Sequence, residues 1–267
     1  MPATRSTRTE FLGMELNPRA AAIAELVLWI GHLHWHVRTK GGELGEPILK
    51  AFHNIRAMDA VLTWDGYPRT TVVDGRETYP NPKRPDWPKA DFIVGNPPFI
   101  GGKDLRARMP PGKVEALWAA HKHMNESADL VMNWWDRAAE ILLKKGTPLR
   151  RFGFVTTNSI SQLFQRRVME KYLTTKKPLS IVMAIPDHPR TKQTRDAAAV
   201  RIAMNVAEAG KKEGLLYEVT SEARIDTDAR MIGLRELAGA VNSDLTEGVD
   251  VTKALPLCQT KASARRA

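Results

Sequence analysis

Short apolar runs alternate with helical patterns along the first 210 residues of the chain. Apolar residues recur at helical spacing in a segment that starts at Asn17 and Pro18 and runs to about His36, and in a second one from about Ala128 to Lys145. The apolar runs predict strands at residues 11–16, 55–62, 92–94, 151–157, 180–185 and 198–206. Strands separated by helices predict an α/β sheet of mostly parallel order.

The same pattern divides the chain into a disordered N-terminal segment, a main α/β domain, a C-terminal extension and a frayed tail, at residues 1–10, 11–210, 211–257 and 258–267. Within the extension, residues 215–219 predict a short strand and residues 232–240 a helix. Residues 65–89 are rich in proline, glycine and charge, which predicts a surface loop.

The composition favours a folded protein with a polyanionic partner. The chain has 267 residues, 43% of them hydrophobic, and a formal net charge of +10 with an isoelectric point near 9.8. A basic surface favours nucleic acid, because each phosphate that Lys or Arg neutralises releases condensed counterions. A nucleic acid is therefore the expected partner.

Two further features concern location and redox chemistry. No apolar run reaches the length of a membrane span, and residues 1–10 lack the apolar core of a signal peptide. We therefore expect a cytoplasmic protein with no membrane partner. Cys258 is the only cysteine, which excludes an internal disulfide and a cluster of zinc-binding thiolates. The sequence accordingly predicts no metal site.

Polar side chains follow three of the predicted strands. Glu15, Asp59 and Asn96 each lie at or near the end of an apolar run, and ligands of open α/β sheets bind at the carboxyl ends of the strands. The Glu15 carboxylate is suited to accept hydrogen bonds from the ribose hydroxyls of a nucleoside-type cofactor, and Asp59 from an adenine amine. The alternative is that each acid only marks a strand end or caps a helix.

The third strand end carries a motif that suits chemistry on an exocyclic amine. The Asn96 side-chain oxygen and the Pro97 carbonyl oxygen are acceptors for the two amine hydrogens, and Pro98 stiffens the backbone that aims them. Phe99 offers a stacking face for a base that is flipped out of a duplex. The alternative is an ordinary turn, because asparagine and proline are common turn residues.

A basic stretch follows this motif. Lys103, Arg106, Arg108, Lys113 and Lys122 predict a DNA-facing loop, and a solvated charged surface is the alternative.

The block at residues 91–103, DFIVGNPPFIGGK, resembles the amino-methyltransferases of restriction-modification systems, in particular the MmeI-like DNA methyltransferase domain. Further blocks that resemble this family lie at residues 11–20, 28–31, 59–65, 128–135, 153–160, 186–189 and 198–204. The similarity covers roughly residues 11–255.

The resemblance implies a Rossmann-like class I methyltransferase sheet of seven strands with flanking helices. It implies that residues 11–210 are a partial catalytic domain that uses S-adenosylmethionine as its cofactor. The motif at 96–99 would hold the target adenine. The cofactor-binding residues would be Glu15, Leu16, Asp59 and Ala60.

The chain departs from the family pattern at both ends. The family's first strand and Gly-rich cofactor motif should precede Phe11, where only the polar residues 1–10 stand. That strand lies between the second and fourth strands of the family's sheet, so its absence leaves ladder groups unpaired. Arg190 replaces a family tryptophan. The family continues into a target-recognition region, so we expect such a domain, or a nuclease, as a partner missing from this chain.

The sequence therefore predicts a site-specific adenine-N6 methyltransferase that acts on double-stranded DNA. One alternative keeps methyl transfer but changes the substrate to an RNA base or a protein glutamine. Another is an inactive remnant with residual DNA binding, because the first cofactor motif is missing.

Overall fold

The computed structural model describes residues 11–40, 54–70, 77–189, 201–223 and 231–248. The predicted N-terminal segment and the tail lie outside the described residues. No helix among the described residues is long and apolar enough to cross a bilayer.

Ten strands and five α-helices make up the described structure. The strands are β1 Gly13–Glu15, β2 Ile55–Ala57, β3 Arg69–Thr70, β4 Glu77–Thr78, β5 Phe92–Gly95, β6 Arg151–Thr157, β7 Leu179–Pro189, β8 Arg201–Ala209, β9 Gly214–Ala223 and β10 Met231–Gly239. The helices are α1 Pro18–Lys40, α2 Leu105–Arg108, α3 Lys113–Ala120, α4 Met132–Leu143 and α5 Leu163–Leu173. Two 3₁₀ turns lie at Gly102–Asp104 and Asn158–Ser161.

The main sheet has six strands in the order β10-β9-β7-β8-β6-β5. The pairs β5–β6 and β7–β9 are parallel, whereas β6–β8, β7–β8 and β9–β10 are antiparallel. The α/β class is confirmed, but the expected mostly parallel order is wrong. An antiparallel pair needs no crossover connection, so neighbouring strands of a sheet can run in opposite directions.

The C-terminal extension adds strands to this sheet. β9 covers the strand predicted at 215–219, but the helix predicted at 232–240 is instead β10. β10 pairs with β9 from Met231 to Gly239. Gly233 and Gly239 both disfavour a helix, and a ladder of this length overrides weak local propensity.

A separate two-stranded parallel sheet holds β1 and β2. Within the described residues no ladder joins it to β5, so two sheets stand where the family resemblance implies one of seven strands. The outer side of β5 is correspondingly open, with Phe92 54% and Val94 87% exposed. Within the described residues, β5 is therefore an edge strand of the six-stranded sheet.

The main core lies between α4, α5 and the six-stranded sheet. Helix α4 buries residues at helical spacing, and Trp135 packs edge-on against Phe152 of β6 with ring centroids 5.3 Å apart. A second buried cluster fixes the loop after β2 against α3, and its members are Val61, Leu62, Leu105, Val114, Ala116, Leu117 and Leu130. The second cluster positions the acidic part of the site.

Candidate functional site

The structure brings Glu15 and Asp59 together. β1 and β2 are parallel with Glu15 opposite Ala57, and the Met58 backbone N–H donates to the Glu15 carbonyl oxygen at 2.9 Å. Asp59 follows directly. Two acids at adjacent parallel strand ends are the arrangement that the sequence predicts for this part of the site.

The Glu15 side chain is half-buried and uses one oxygen locally. Its Oε1 accepts from the Asn17 backbone N–H at 2.9 Å, at the start of α1. Asn17 in turn accepts from the Arg19 N–H at 2.9 Å. Leu16, predicted to contact the cofactor, is 61% exposed. This bond to the start of α1 fits the alternative in which Glu15 only marks a strand end or caps a helix. Glu15 Oε2 is not used in the bond and can accept from a ligand.

Both oxygens of Asp59 are occupied. Oδ1 accepts from the backbone N–H groups of Val61 and Leu62 at 2.9 and 3.2 Å. Oδ2 lies 2.8 Å from the Lys113 Nζ, and the two side chains are only 11% and 12% exposed. Lys113, predicted for a DNA-facing loop, therefore points inward. Its pairing with Asp59 was missed because it spans 54 residues and leaves no local pattern.

Side chains that lie later in the sequence hold the loop after β2, residues 58–62, against the rest of the domain. Trp87 Nε1–H donates to the Ala60 carbonyl oxygen at 2.7 Å, so the predicted cofactor residue Ala60 is anchored through its backbone. His121 Nε2 contacts the Val61 carbonyl oxygen at 2.8 Å. Burial lowers the pKa of His121, so the ring is neutral at pH 7 and its Nε2 carries the proton.

The Asn-Pro-Pro-Phe motif lies at the carboxyl end of β5. Asn96 and Pro98 are exposed, Pro97 is buried and Phe99 is half-buried. Gly95 lies close to the Phe154 ring just before the motif, since a Cβ there would lie 3.1 Å from a ring atom and the ring would have to shift by a few tenths of an ångström. The asparagine amide is therefore accessible on a backbone that Pro97 anchors. The motif follows β5 of the six-stranded sheet, whereas Glu15 ends β1 of the other sheet and Asp59 lies two residues after β2.

A cavity of about 220 Å³ opens beside the motif. Its lining residues are Phe99, Ile100, Gly101, Asp129, Val131, Thr157 and Ser159. Asp129 accepts from the Gly102 N–H at 3.1 Å and from the Ser159 hydroxyl at 2.6 Å. The Thr157 hydroxyl also bonds to Ser159.

The polar wall of this cavity was not predicted from the sequence. Thr157 ends β6, the parallel neighbour of β5, so the rule that ligands bind at carboxyl strand ends points to it and to Ser159. Asp129 carried no comparable signal, because it lies in a loop before α4.

Four of the five basic side chains predicted for a DNA-facing loop are exposed, namely Lys103, Arg106, Arg108 and Lys122, whereas Lys113 is largely buried. Lys103 lies in the first 3₁₀ turn, and Arg106 and Arg108 lie in α2. Arg106 pairs with Glu115 at 3.5 Å and stacks over the Trp118 ring at 4.7 Å. Surface cations next to the cavity suit a phosphate backbone, and the DNA role of these residues stays a prediction.

A polar network on α4 was also missed. Asp136 is 1% exposed and accepts from the Tyr172 hydroxyl at 2.5 Å and from His123 at 2.7 Å. Burial by itself would raise the pKa of Asp136, but the hydrogen bonds from Tyr172 and His123 outweigh burial and lower it. Burial and Asp136 together raise the pKa of Tyr172.

The same network has the spacing of a metal site. One ligand atom each from His123, Asp136 and Glu140 lies within 4.8 Å of the others. However, Arg84 Nη1 lies 2.7 Å from Glu140 and 3.5 Å from Asp136, so a guanidinium already compensates both carboxylates. The arrangement is that of an ion-pair network.

The described residues form a mixed α/β domain whose six-stranded mixed sheet is consistent with a methyltransferase-like fold. The model of the family described as MmeI, DNA-methyltransferase domain, matches residues 4–218. The chain belongs to this family.

Solved structures of restriction-modification proteins are similar to parts of the chain. The Type IIL enzyme MmeI in complex with DNA is 26% identical over 61% of this chain and 20% of its own, with a TM-score of 0.47. A modification subunit of a putative type I restriction enzyme from Vibrio vulnificus YJ016 is 17% identical over 50% of this chain and 26% of its own, with a TM-score of 0.35. The chain thus spans about a fifth to a quarter of these proteins. A comparison with curated proteins gave no match.

Proposed function

We propose that this chain is the methyltransferase domain of a restriction-modification enzyme and transfers a methyl group from S-adenosylmethionine to N6 of adenine in double-stranded DNA. The family match supports DNA methyl transfer. The observation that supports the choice of adenine N6 is the exposed Asn96 amide on the anchored Pro97 backbone, beside a cavity lined by Phe99.

The acceptor chemistry rests on hydrogen bonding to the amine. The lone pair of an exocyclic amine is delocalised into the purine ring, so acceptors must draw the nitrogen towards a nucleophilic geometry. Asn96 Oδ1 and the Pro97 carbonyl oxygen accept its two hydrogens. S-adenosylmethionine would supply the methyl group and leave as the thioether with the S–CH₃ electron pair, and the amine held by Asn96 and Pro97 would take the methyl group and release one proton to water.

The cavity beside the motif would receive the target base after it leaves the duplex. An adenine inside a duplex does not expose its amine to an enzyme, so the base must be flipped out. Phe99 would stack on the flipped base, and the exposed Lys103, Arg106 and Arg108 would contact nearby phosphates. The net charge of +10 favours that polyanionic substrate.

The residues present fit a nucleoside cofactor in part. Glu15 keeps Oε2 for the ribose hydroxyls, and Leu16 offers an exposed apolar surface beside it. Asp59 and Ala60 would lie near the adenine ring, and the pairing with Lys113 makes Glu15 the stronger of the two acids for this role. S-adenosylmethionine supplies an electrophilic methyl group on a sulfonium.

The location and the partners of the domain are part of the proposal. We place the domain in the cytoplasm, where its DNA substrate lies. A target-recognition domain and a nuclease are the proposed partners, because this chain spans about a fifth of MmeI.

An experiment separates this function from its rivals. The chain is incubated with S-adenosylmethionine labelled on the methyl group and with mixed-sequence duplex DNA, RNA or protein in parallel. We expect the label in N6-methyladenine from DNA. Label in RNA, in glutamine or in cytosine would overturn the assignment.

The second function is a folded DNA-binding remnant without methyl transfer. Two observations favour it: no ladder joins β1 to β5 within the described residues, and both Asp59 oxygens are engaged. Calorimetry distinguishes the two readings, since a remnant gives no heat with S-adenosylmethionine while still shifting DNA in a gel.

A further inference from the structure

One carboxylate joins two walls of the cavity. Asp129 Oδ1 accepts from the Gly102 backbone N–H at 3.1 Å, in the loop that follows the Asn-Pro-Pro-Phe motif. Its Oδ2 accepts from the Ser159 hydroxyl at 2.6 Å, in the turn that follows β6. Asp129 thus links the segments that leave two neighbouring parallel strands.

The motif loop is seated closely on the segment that carries Asp129. The Leu130 backbone N–H donates to the Ile100 carbonyl oxygen at 2.9 Å. A Cβ on Gly102 would lie 2.3 Å from the Ser127 carbonyl oxygen, so only glycine permits this approach. The backbone contacts place the motif loop next to Asp129, and the Asp129 carboxylate holds the end of that loop at Gly102.

The Asp129 side chain does not serve its own helix. The residue before α4 is Val131, and no side chain caps that helix. The Met132 N–H bonds to the backbone carbonyl oxygen of Asp129 instead. Both carboxylate oxygens are therefore directed at the cavity walls, where a hydrogen bond to a charged group is among the stronger ones.

We propose that Asp129 is a positioning residue for methyl transfer, holding the motif loop against the end of β6 so that the cavity keeps the shape that receives the flipped base. The inference rests on the proposed function. Phe99 lies three residues before Gly102 in the same loop, so a shift of Gly102 would be transmitted to the stacking ring through the short segment between them. Asp129 acts through Phe99 and Ser159 and does not touch the reacting atoms.

Hydrogen exchange on the intact chain tests the link without any substrate. Asp129→Ala should speed exchange of the Gly102 amide by roughly tenfold or more, as expected for losing a bond to a charged acceptor. Asp129→Asn should restore protection to within about twofold, because an amide oxygen still accepts from Gly102 and the NH₂ group reaches Ser159. Unchanged Gly102 exchange in Asp129→Ala would overturn the proposal.

Asp104→Ala is the matched control. Asp104 lies in the same loop, is exposed and makes no side-chain cap bond, so its loss should leave Gly102 exchange unchanged. Thermal melting of each variant shows whether the fold is retained. If Asp129→Ala unfolds, Ser159→Ala is used instead. Of the two bonds to Asp129, this variant removes only the one from Ser159, and it should lower kcat relative to the native chain.

The kinetic readout separates positioning from a structural role. Asp129→Ala should lower kcat roughly tenfold or more and leave KM for S-adenosylmethionine within about twofold, with Asp129→Asn restoring kcat. Equal kcat in Asp129→Ala and Asp104→Ala would overturn the positioning role. If the native chain methylates no substrate, the proposed function fails, whereas the link between the walls is still decided by exchange.

Discussion

Lys113 places its ammonium group 2.8 Å from the Asp59 carboxylate, with both side chains almost wholly buried. The pair anchors the loop after β2 on α3, next to the proposed cofactor site. An ion pair removed from water is costly to break from one side, because the remaining charge stays buried without its partner.

Lys113→Met should therefore lower the free energy of unfolding by about 3 kcal/mol, measured by urea denaturation. The control is Lys83→Met. Lys83 pairs with Asp65 at a similar 2.9 Å, but both groups are more than half exposed, so this change should leave the unfolding free energy nearly unchanged. Equal losses in the two variants would contradict the burial argument.

Tyr172→Phe removes the hydroxyl that bonds to Asp136 and should cost about 1 to 3 kcal/mol near neutral pH. The lowered pKa of Asp136 contributes stability that is present above the unfolded-state pKa near 3.8 and is lost as pH falls through the folded-state pKa. Losing a donor raises that folded-state pKa. Acid unfolding, followed by circular dichroism, should therefore begin at a higher pH in the variant.

Tyr79→Phe is the control for that change. The Tyr79 hydroxyl donates to Glu77 at 2.7 Å at a less buried position, and the pKa of Tyr79 is raised to about 12, first by burial and then by Glu77. Its loss should cost less and should leave the acid transition in place. An acid transition that moves equally in both variants would rule out the Asp136 explanation.

Val94→Lys should keep the free energy of unfolding within about 0.5 kcal/mol and should lower any association of two chains through the open edge of β5. The side chain is 87% exposed on the open strand β5, where a charge disfavours pairing with another chain. Sedimentation velocity measures the association. Ile93→Lys, one residue away but packed against the main core, should instead destabilise by about 2 kcal/mol.

Asn96→Ala should lower the kcat of methyl transfer by about a hundredfold or more. This is the usual effect of removing one hydrogen-bonding group that stabilises a transition state. Because Asn96 is exposed, the melting temperature should hold. Binding of S-adenosylmethionine should also hold, since Glu15 lies on the other sheet. Full activity in the variant would remove Asn96 from its proposed role.

Local patterns predicted much of the fold. β6 occupies the predicted residues 151–157, where Phe152, Phe154 and Thr156 alternate towards the core, and α4 lies within the predicted 128–145. Strand direction was wrong and β10 was mistaken for a helix, because pairing partners are set by contacts distant in sequence.

The site divides in the same way. Asp59 and Asn96 are candidates because of their positions after apolar runs, since one strand end suffices to mark each, and their roles stay predictions. Lys113 was wrongly predicted to face DNA and Asp129 was not singled out, because each contacts a partner 30 or more residues away. A cation in a basic segment predicts a surface, and only the packing of α3 turns Lys113 inward.

Within the described residues no backbone ladder joins the two sheets, and the loop at residues 58–62 is held by side-chain contacts instead. Three side chains contact consecutive loop residues: Lys113 contacts Asp59, Trp87 contacts Ala60 and His121 contacts Val61. A ladder resists point substitution because every residue contributes the same amide groups. Each of the three side-chain contacts can be lost in a separate substitution, so the position of the loop at residues 58–62 can change stepwise through single mutations.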